Sequence, residues 1–228
     1  MSTQTPTRPK VIYPESDGQP MAENTLQFEW ITTIKGGLDA QFRNDPNVFV
    51  AGDLFWYPVE GDNTIRRAPD AMAVFGRLKG HRGSYLQWEE DNIPPQVVFE
   101  ILSPGNRGGE LVQKFNFYER YGVEEYYVYD PDSGDLNGWQ RAADKLQEIP
   151  SMAGWVSPRL KIRFEPIDGD LRILGPDGRP FATYVELVEQ IDELARQRQQ
   201  LAQQGDKERH RAERLAAQLK ALGVEPEV

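Results

Sequence analysis

Two acids and one lysine in this chain have residue types and an order that suit metal-assisted cleavage of a phosphodiester. Glu100 lies in Gln96-Val97-Val98-Phe99-Glu100-Ile101-Leu102, which otherwise reads as a buried strand. An ionised carboxylate beside so much apolar surface is costly unless it is paired or bound to a cation. Arg66, Arg67 or Arg107 could make a structural ion pair with it. The sharper partner is a divalent cation shared with a second carboxylate. Asp70 offers one, following Pro69 at the start of another apolar run, Ala71 to Phe75. Asp after Pro is by itself a common turn feature. In combination, two carboxylates on adjacent strands can share a hard cation that takes six oxygen ligands, the rest being waters, a backbone carbonyl and a phosphate oxygen. Such a centre activates water and neutralises phosphate charge.

Cleavage also needs a positive group near the attacking water or the developing oxyanion. Two residues beyond Glu100 the chain has apolar Leu102, so Lys114 is the nearest candidate, on the helix expected next. It borders the apolar stripe of that helix, and its long stem could carry the amine back over the strand ends. The alternative is a solvated surface lysine. His81 and His210 have polar neighbours and no second histidine at ligand spacing, so both read as solvated. Ser103 lacks a histidine to activate it and reads as a cap of the helix that follows.

These residues need strands and a helix to position them. Alternation in the Glu100 strand puts Val98, Glu100 and Leu102 on one face and Val97, Phe99 and Ile101 on the other. After Ser103-Pro104-Gly105, the spacing of Leu111, Phe115, Tyr118 and Tyr121 predicts a helix closed by Gly122. Glu124 to Pro131 then predicts a strand parallel to the Glu100 strand through a right-handed crossover. Earlier, Leu26, Trp30, Ile34, Leu38 and Phe42 recur every four residues and predict a helix over 23–44, with a possible break at Gly36-Gly37. Asn47 to Pro58 predicts a strand bent at Gly52, and Ala68 to Gly76 another. Four short strand-like pieces after Leu136 predict an antiparallel extension. The fold class is α/β (α+β), a mixed sheet flanked by helices.

The chain has 228 residues and no cysteine, which removes disulfides and Cys-based zinc sites. A formal charge of −10 argues against gripping nucleic acid through global electrostatics, so phosphate chemistry must rest on a local site. No apolar run is long enough to span a membrane, and the first twenty residues lack the apolar centre of a signal peptide, so a cytoplasmic protein is expected. Residues 1–22, rich in Pro, Ser and Thr, read as a mobile arm, residues 23–180 as the main domain, and residues 181–228 as a helical tail. In the tail Leu187, Leu194, Leu201, Leu215 and Leu222 share one heptad position, with Tyr184, Ile191, Ala212 and Leu219 on the adjoining one. Arg198, Gly205 and Glu208 interrupt that seam, which predicts two helical pieces around Gly205. A coiled-coil-like tail implies a homodimer or a partner protein; an amphipathic helix folded back on the core is the alternative.

The segments Val50 to Pro58, Ala68 to Val74 and Val97 to Pro131 resemble the Uma-type restriction endonuclease family, a branch of the PD-(D/E)XK nuclease superfamily. The resemblance spans about residues 48–179. It implies a restriction-endonuclease-like core and DNA cleavage dependent on Mg²⁺ or Mn²⁺. Asp70 and Glu100 match the family's metal-binding carboxylates, with the main-chain carbonyl of Ile101 as a further ligand, and Lys114 matches the lysine displaced onto the helix. Where the family usually carries Asp at the start of that helix this chain has Glu110, and Asp53 matches a common family residue that is either a further ligand or a turn former. The opposing expectation is a catalytically silent assembly protein that keeps the nuclease-like core as a platform and recruits partners through its tail.

Overall fold

A computed structural model describes residues 11–16, 18, 22, 24–104, 108–167 and 169–222. Helix α1 (Thr25–Gln41) starts where the Asn24 side chain accepts the Gln27 N–H at 2.7 Å, satisfying a first-turn donor. Its buried residues include Gln27, Ile31, Ile34 and Leu38, whereas Leu26 is 37% exposed and Phe42 is the C-cap. The four-residue spacing explains this difference from the expected stripe. Each step of four overshoots a turn by about 40°, so a set extended from Leu26 to Phe42 cannot stay on one face. The helix also runs unbroken through Gly36-Gly37. A β-carbon on Gly37 would collide with the Phe181 ring, so that glycine permits close packing instead of a break.

The strands are β1 (Val48–Ala51), β2 (Trp56–Tyr57), β3 (Ala71–Phe75), β4 (Tyr85–Leu86), β5 (Val97–Ile101), β6 (Glu125–Asp130), β7 (Asp135–Ala142), β8 (Lys145–Glu148), β9 (Arg163–Ile167) and β10 (Asp170–Leu174). Six of them form one mixed sheet in the order β1-β3-β5-β6-β7-β8. Its one parallel pair is β5 with β6, bridged by helix α2 (Gly108–Arg120), while the other neighbours run antiparallel. Gly122, at φ 93°, ends the crossover in a conformation that favours glycine. Of the four pieces expected to extend the sheet, β7 and β8 do so; β9 and β10 pair with each other as a separate hairpin. Phe164, Leu171 and Ile173 of that hairpin belong to the same apolar cluster as α1 and one sheet face, where they bury surface that a further edge strand would leave open. The strand expected over Asn47 to Pro58 divides past Gly52, its second part becoming β2, which pairs in parallel with β4 outside the main sheet; β4 alone has no counterpart in the expected elements, since two residues are too few to show a period.

Alternation sorts the sheet residues into two layers. Val97, Phe99, Ile101, Tyr127 and Tyr129 pack toward α1, whereas Met72, Val74, Val98, Tyr126 and Val128 pack with Tyr118 of α2. The α2 side is the one that carries the Glu100 side chain. Part of the supposed mobile arm is also fixed here. Pro14 accepts a hydrogen bond from the Tyr57 hydroxyl at 2.6 Å, Ile12 accepts one from Asn63 Nδ2 at 2.7 Å, and the Tyr13 ring meets Tyr57 and Trp88. Polar composition alone did not show these aromatic contacts; residues 1–10 lie outside the described residues.

The chain divides into two compact units between Phe181 and Ala182. In the second, helix α3 (Tyr184–Ala221) is continuous for 38 residues, in place of two pieces around Gly205. A single helical glycine costs about 1 kcal/mol relative to alanine, which the surrounding Gln, Ala, Leu, Arg and Glu residues can absorb. A capping box opens it, with Thr183 and Glu186 satisfying each other's orphan backbone donors. None of its residues is buried. Among the described residues no helix is long and apolar enough to cross a membrane.

Candidate active site

Antiparallel pairing of β3 with β5 sets Ala71 opposite Phe99, so the next step along the ladder brings Asp70 beside Glu100. Both side chains point to the α2 face. Asp70 sits one residue before β3, where the ladder has run out of backbone acceptors, and its Oδ2 accepts the Ile101 N–H at 2.6 Å. Asp70 is 9% exposed and Glu100 1%. Helix α2 then lays Lys114 and Tyr118, one turn apart, over the Glu100 carboxylate. Lys114 Nζ donates to Oε2 at 2.7 Å, and the Tyr118 hydroxyl donates to Oε1.

The arrangement confines two acids and one base in a poorly hydrated space. Burial, and after it the Glu100 charge, push the Asp70 carboxyl well above its ordinary range, although Lys114 and the Ile101 N–H pull the other way. Burial would lower the Lys114 amine, but the charges of Glu100 and Asp70 and the Glu100 hydrogen bond outweigh it and leave the amine raised. Tyr118 is pushed well up by burial and then by Glu100, so it remains a neutral donor. Tyr126 on β6 is raised by burial and then by Glu100 and Asp70, and its buried hydroxyl has no hydrogen-bond partner among the described residues.

The other expected site residues lie around this group. Glu110 Oε1 stands 3.9 Å from Lys114 Nζ on the same helix face, with its side chain about half exposed. Asp53 adopts a left-handed turn at φ 45°, its N–H bonds to the Pro69 carbonyl at 3.0 Å, and its charge raises Asp70 slightly. The Ile101 carbonyl accepts a 2.8 Å hydrogen bond from Gln27 Nε2 of α1, a buried contact across 74 residues of sequence. Ser103 precedes the first described residue of α2, Gly108, by five positions, and residues 105–107 between them lie outside the described residues. Arg66 and Arg67 do not pair with Glu100. Their guanidinium groups lie over the rings of Phe55 and Phe117, and Arg107 is outside the described residues. His81 and His210 are exposed.

Among the described residues no group of three or more His, Asp or Glu side chains could hold a metal ion. The fit to a hard divalent cation therefore rests on the Asp70 and Glu100 pair. The donors are all oxygen, and with both carboxyls ionised their negative charge exceeds what Lys114 balances. Each carboxylate keeps lone pairs beyond the hydrogen bonds it accepts, as does the Ile101 carbonyl. Two signals from Tyr118 and Gln27 were hidden in the sequence. Tyr118 reads as one more aromatic residue on the apolar stripe, and a glutamine one helix away carries no mark of a strand-end carbonyl as its partner.

Among curated proteins none matches the chain. A crystal structure of a "putative nuclease belonging to DUF820" from Anabaena variabilis ATCC 29413 is similar at 14% identity and a TM-score of 0.45, covering 66% of this chain and 84% of that one. The Uma2 family, described as "Putative restriction endonuclease", matches residues 8–160, which hold both acids, the lysine and the crossover that joins them. The chain belongs to the Uma2 family of restriction-endonuclease-like proteins.

Proposed function

We propose that the protein is a divalent-cation-dependent endonuclease that hydrolyses DNA phosphodiesters at the Asp70, Glu100 and Lys114 cluster. The observation that carries this reading is the convergence of two buried carboxylates and one amine on a single sheet face, with the negative charge in excess. Asp70, Glu100 and the Ile101 carbonyl would hold the cation. When bound, Mg²⁺ or Mn²⁺ supplies positive charge at the scissile phosphate and lowers the pKa of a coordinated water.

The chain's own residues have distinct tasks. Tyr118 holds one Glu100 oxygen and so fixes the carboxylate plane, while the Ile101 N–H does the same for Asp70. Lys114, anchored on Glu100, orients the attacking water or stabilises charge on the non-bridging oxygens as the phosphorus–oxygen bond to water forms. The attacking water gives up a proton to solvent, the bond to the leaving sugar oxygen breaks, and that oxygen takes up a proton from solvent. Gln27 keeps the strand-end carbonyl at a fixed angle.

Helix α3 adds self-association, because leucines repeated at heptad spacing bury their surface only by pairing. The test of cleavage is a time course on supercoiled and single-stranded DNA with Mg²⁺ or Mn²⁺, comparing the parent with Glu100→Gln. Metal-dependent nicking lost in the variant supports the reading. Equal cleavage by both overturns it, and no cleavage by either favours the catalytically silent assembly protein.

A further inference from the structure

The interrupted seam of α3 becomes regular when a second helix is laid against it in the opposite direction. Leu187, Leu194, Leu201, Leu215 and Leu222 occupy d positions, and Tyr184, Ile191, Ala212 and Leu219 occupy a positions, leaving Arg198 and Gly205 at a and Glu208 at d. The apolar members stand in solvent, with Leu201 66% and Tyr184 81% exposed. Neither Arg198 nor Glu208 takes an ion pair among the described residues, whereas Asp206 and Glu213 on the outer positions pair with Arg209 and His210. In a parallel, in-register pair, Arg198 would face its own copy and so would Glu208, giving two like-charge layers. Such juxtapositions inside an interface are strongly unfavourable.

Antiparallel pairing with full overlap removes both conflicts at once. Arg198 then meets Glu208 of the partner subunit, and the dyad repeats the contact. The same register sets Leu201 against Gly205 of the partner subunit and Leu194 against Ala212 of the partner subunit, large side chains over small ones. Nearer the ends, large residues meet large ones, Leu187 against Leu219 of the partner subunit and Ile191 against Leu215 of the partner subunit. The register that matches charge and size is also the one that matches the helix length, since its centre falls at the middle of Tyr184–Ala221.

We infer that α3 pairs with α3 of a second copy of this chain as an antiparallel two-stranded coiled coil in which Arg198 and Glu208 set direction and register. This deepens the self-association reading above and is independent of the cleavage chemistry. A polar residue on a coiled-coil seam is a well-attested way to specify register at some expense in stability. The pairing separates the two α3 N-termini by about 57 Å, the length of a 38-residue helix.

The experiment uses the full chain. Sedimentation equilibrium is measured for the parent, Arg198→Glu, Glu208→Arg and the double swap, with circular dichroism confirming that helix content is retained. Each single change places like charges in two layers and should weaken the dimer by at least about 100-fold, and the double swap should restore it. In a parallel pair neither single change would add a like-charge layer, so unchanged association of both single variants overturns the inference. Because the chain has no cysteine, Glu189→Cys accepts one spin label per copy. Dipolar spectroscopy should then read a label separation of about 42 Å or slightly more, and a distance below about 30 Å, as two outward-facing labels on side-by-side parallel helices would give, overturns the antiparallel direction alone. A parent chain that stays monomeric overturns the self-association reading along with it.

Discussion

Replacing Lys114 with Met keeps the aliphatic stem that packs along α2 and removes only the charge. Two carboxylates, 1% and 9% exposed, then share a dry space with no cation. Glu100 retains the Tyr118 hydroxyl and Asp70 retains the Ile101 N–H, so the loss is mainly that of the 2.7 Å ion pair. Removing one partner of a buried pair costs about 3–5 kcal/mol because the other charge is left uncompensated. The sign of the pH dependence follows from Asp70, which is already raised above 3.8. Its folded form holds a proton that the unfolded chain releases, so stability falls as pH climbs above about 4 toward the folded value, and loss of Lys114 steepens that fall. Urea unfolding of parent and variant in EDTA at pH 8 and pH 5 measures the effect. The expected difference is about 3–5 kcal/mol at pH 8 and clearly less at pH 5, where a protonated Asp70 leaves less negative charge for the amine to balance. A loss below about 1 kcal/mol at pH 8, the size of an exposed pair, would refute the picture of a dry site with excess negative charge. So would a loss that is equal at the two pH values.

In cleavage assays the same Lys114→Met variant should lose about 100–1,000-fold in rate, the range for a positioned electrostatic group; a parental rate would assign the lysine to structure alone. Asp70→Asn keeps a carbonyl oxygen for the Ile101 N–H and removes the repulsion with Glu100, so thermal unfolding in EDTA at pH 8 should show a gain on the order of 1 kcal/mol, while stabilisation by added Mg²⁺ disappears. Glu125→Ala strands three donors that its buried carboxylate accepts, from Tyr127, Ser157 and the Arg159 N–H, and should lower unfolding free energy by about 3 kcal/mol or more. Gly138→Ala would set a β-carbon 2.6 Å from Met152 Sδ and 3.1 Å from the Tyr127 ring. Denaturant unfolding should register about 1–3 kcal/mol of overpacking.

Period and alternation made the site's scaffold readable. A strand interrupted by Glu100, a turn-proximal Asp70 and a helix bearing Lys114 follow from residue spacing, and the parallel crossover follows from the helix between two apolar runs. What stayed hidden depends on contacts that no local pattern encodes. Tyr118 bonds to Glu100 from within an apolar stripe, and Gln27 reaches the Ile101 carbonyl across 74 residues. The hairpin of β9 and β10 separates from the main sheet and sends Phe164, Leu171 and Ile173 into the cluster that α1 covers, a property of the assembled layers. Gly205 does not break α3, because the cost of one glycine is small beside a long run of good helix formers.

The hydrogen bond from Ile101 to Asp70 bears on how this site can change over generations. Because β3 stops one residue short of what β5 needs, the Asp70 side chain completes the ladder in place of a main-chain oxygen. A lineage that abandoned catalysis would still be under selection for an acceptor at position 70, which asparagine or serine could also provide. Lys114 has no such second duty toward the backbone. Once the acids became neutral or were replaced, a buried amine there would be a burden and would drift toward an apolar residue. An aspartate at position 70 is therefore weak testimony to a working enzyme, and a lysine at position 114 beside an intact Glu100 is the stronger witness.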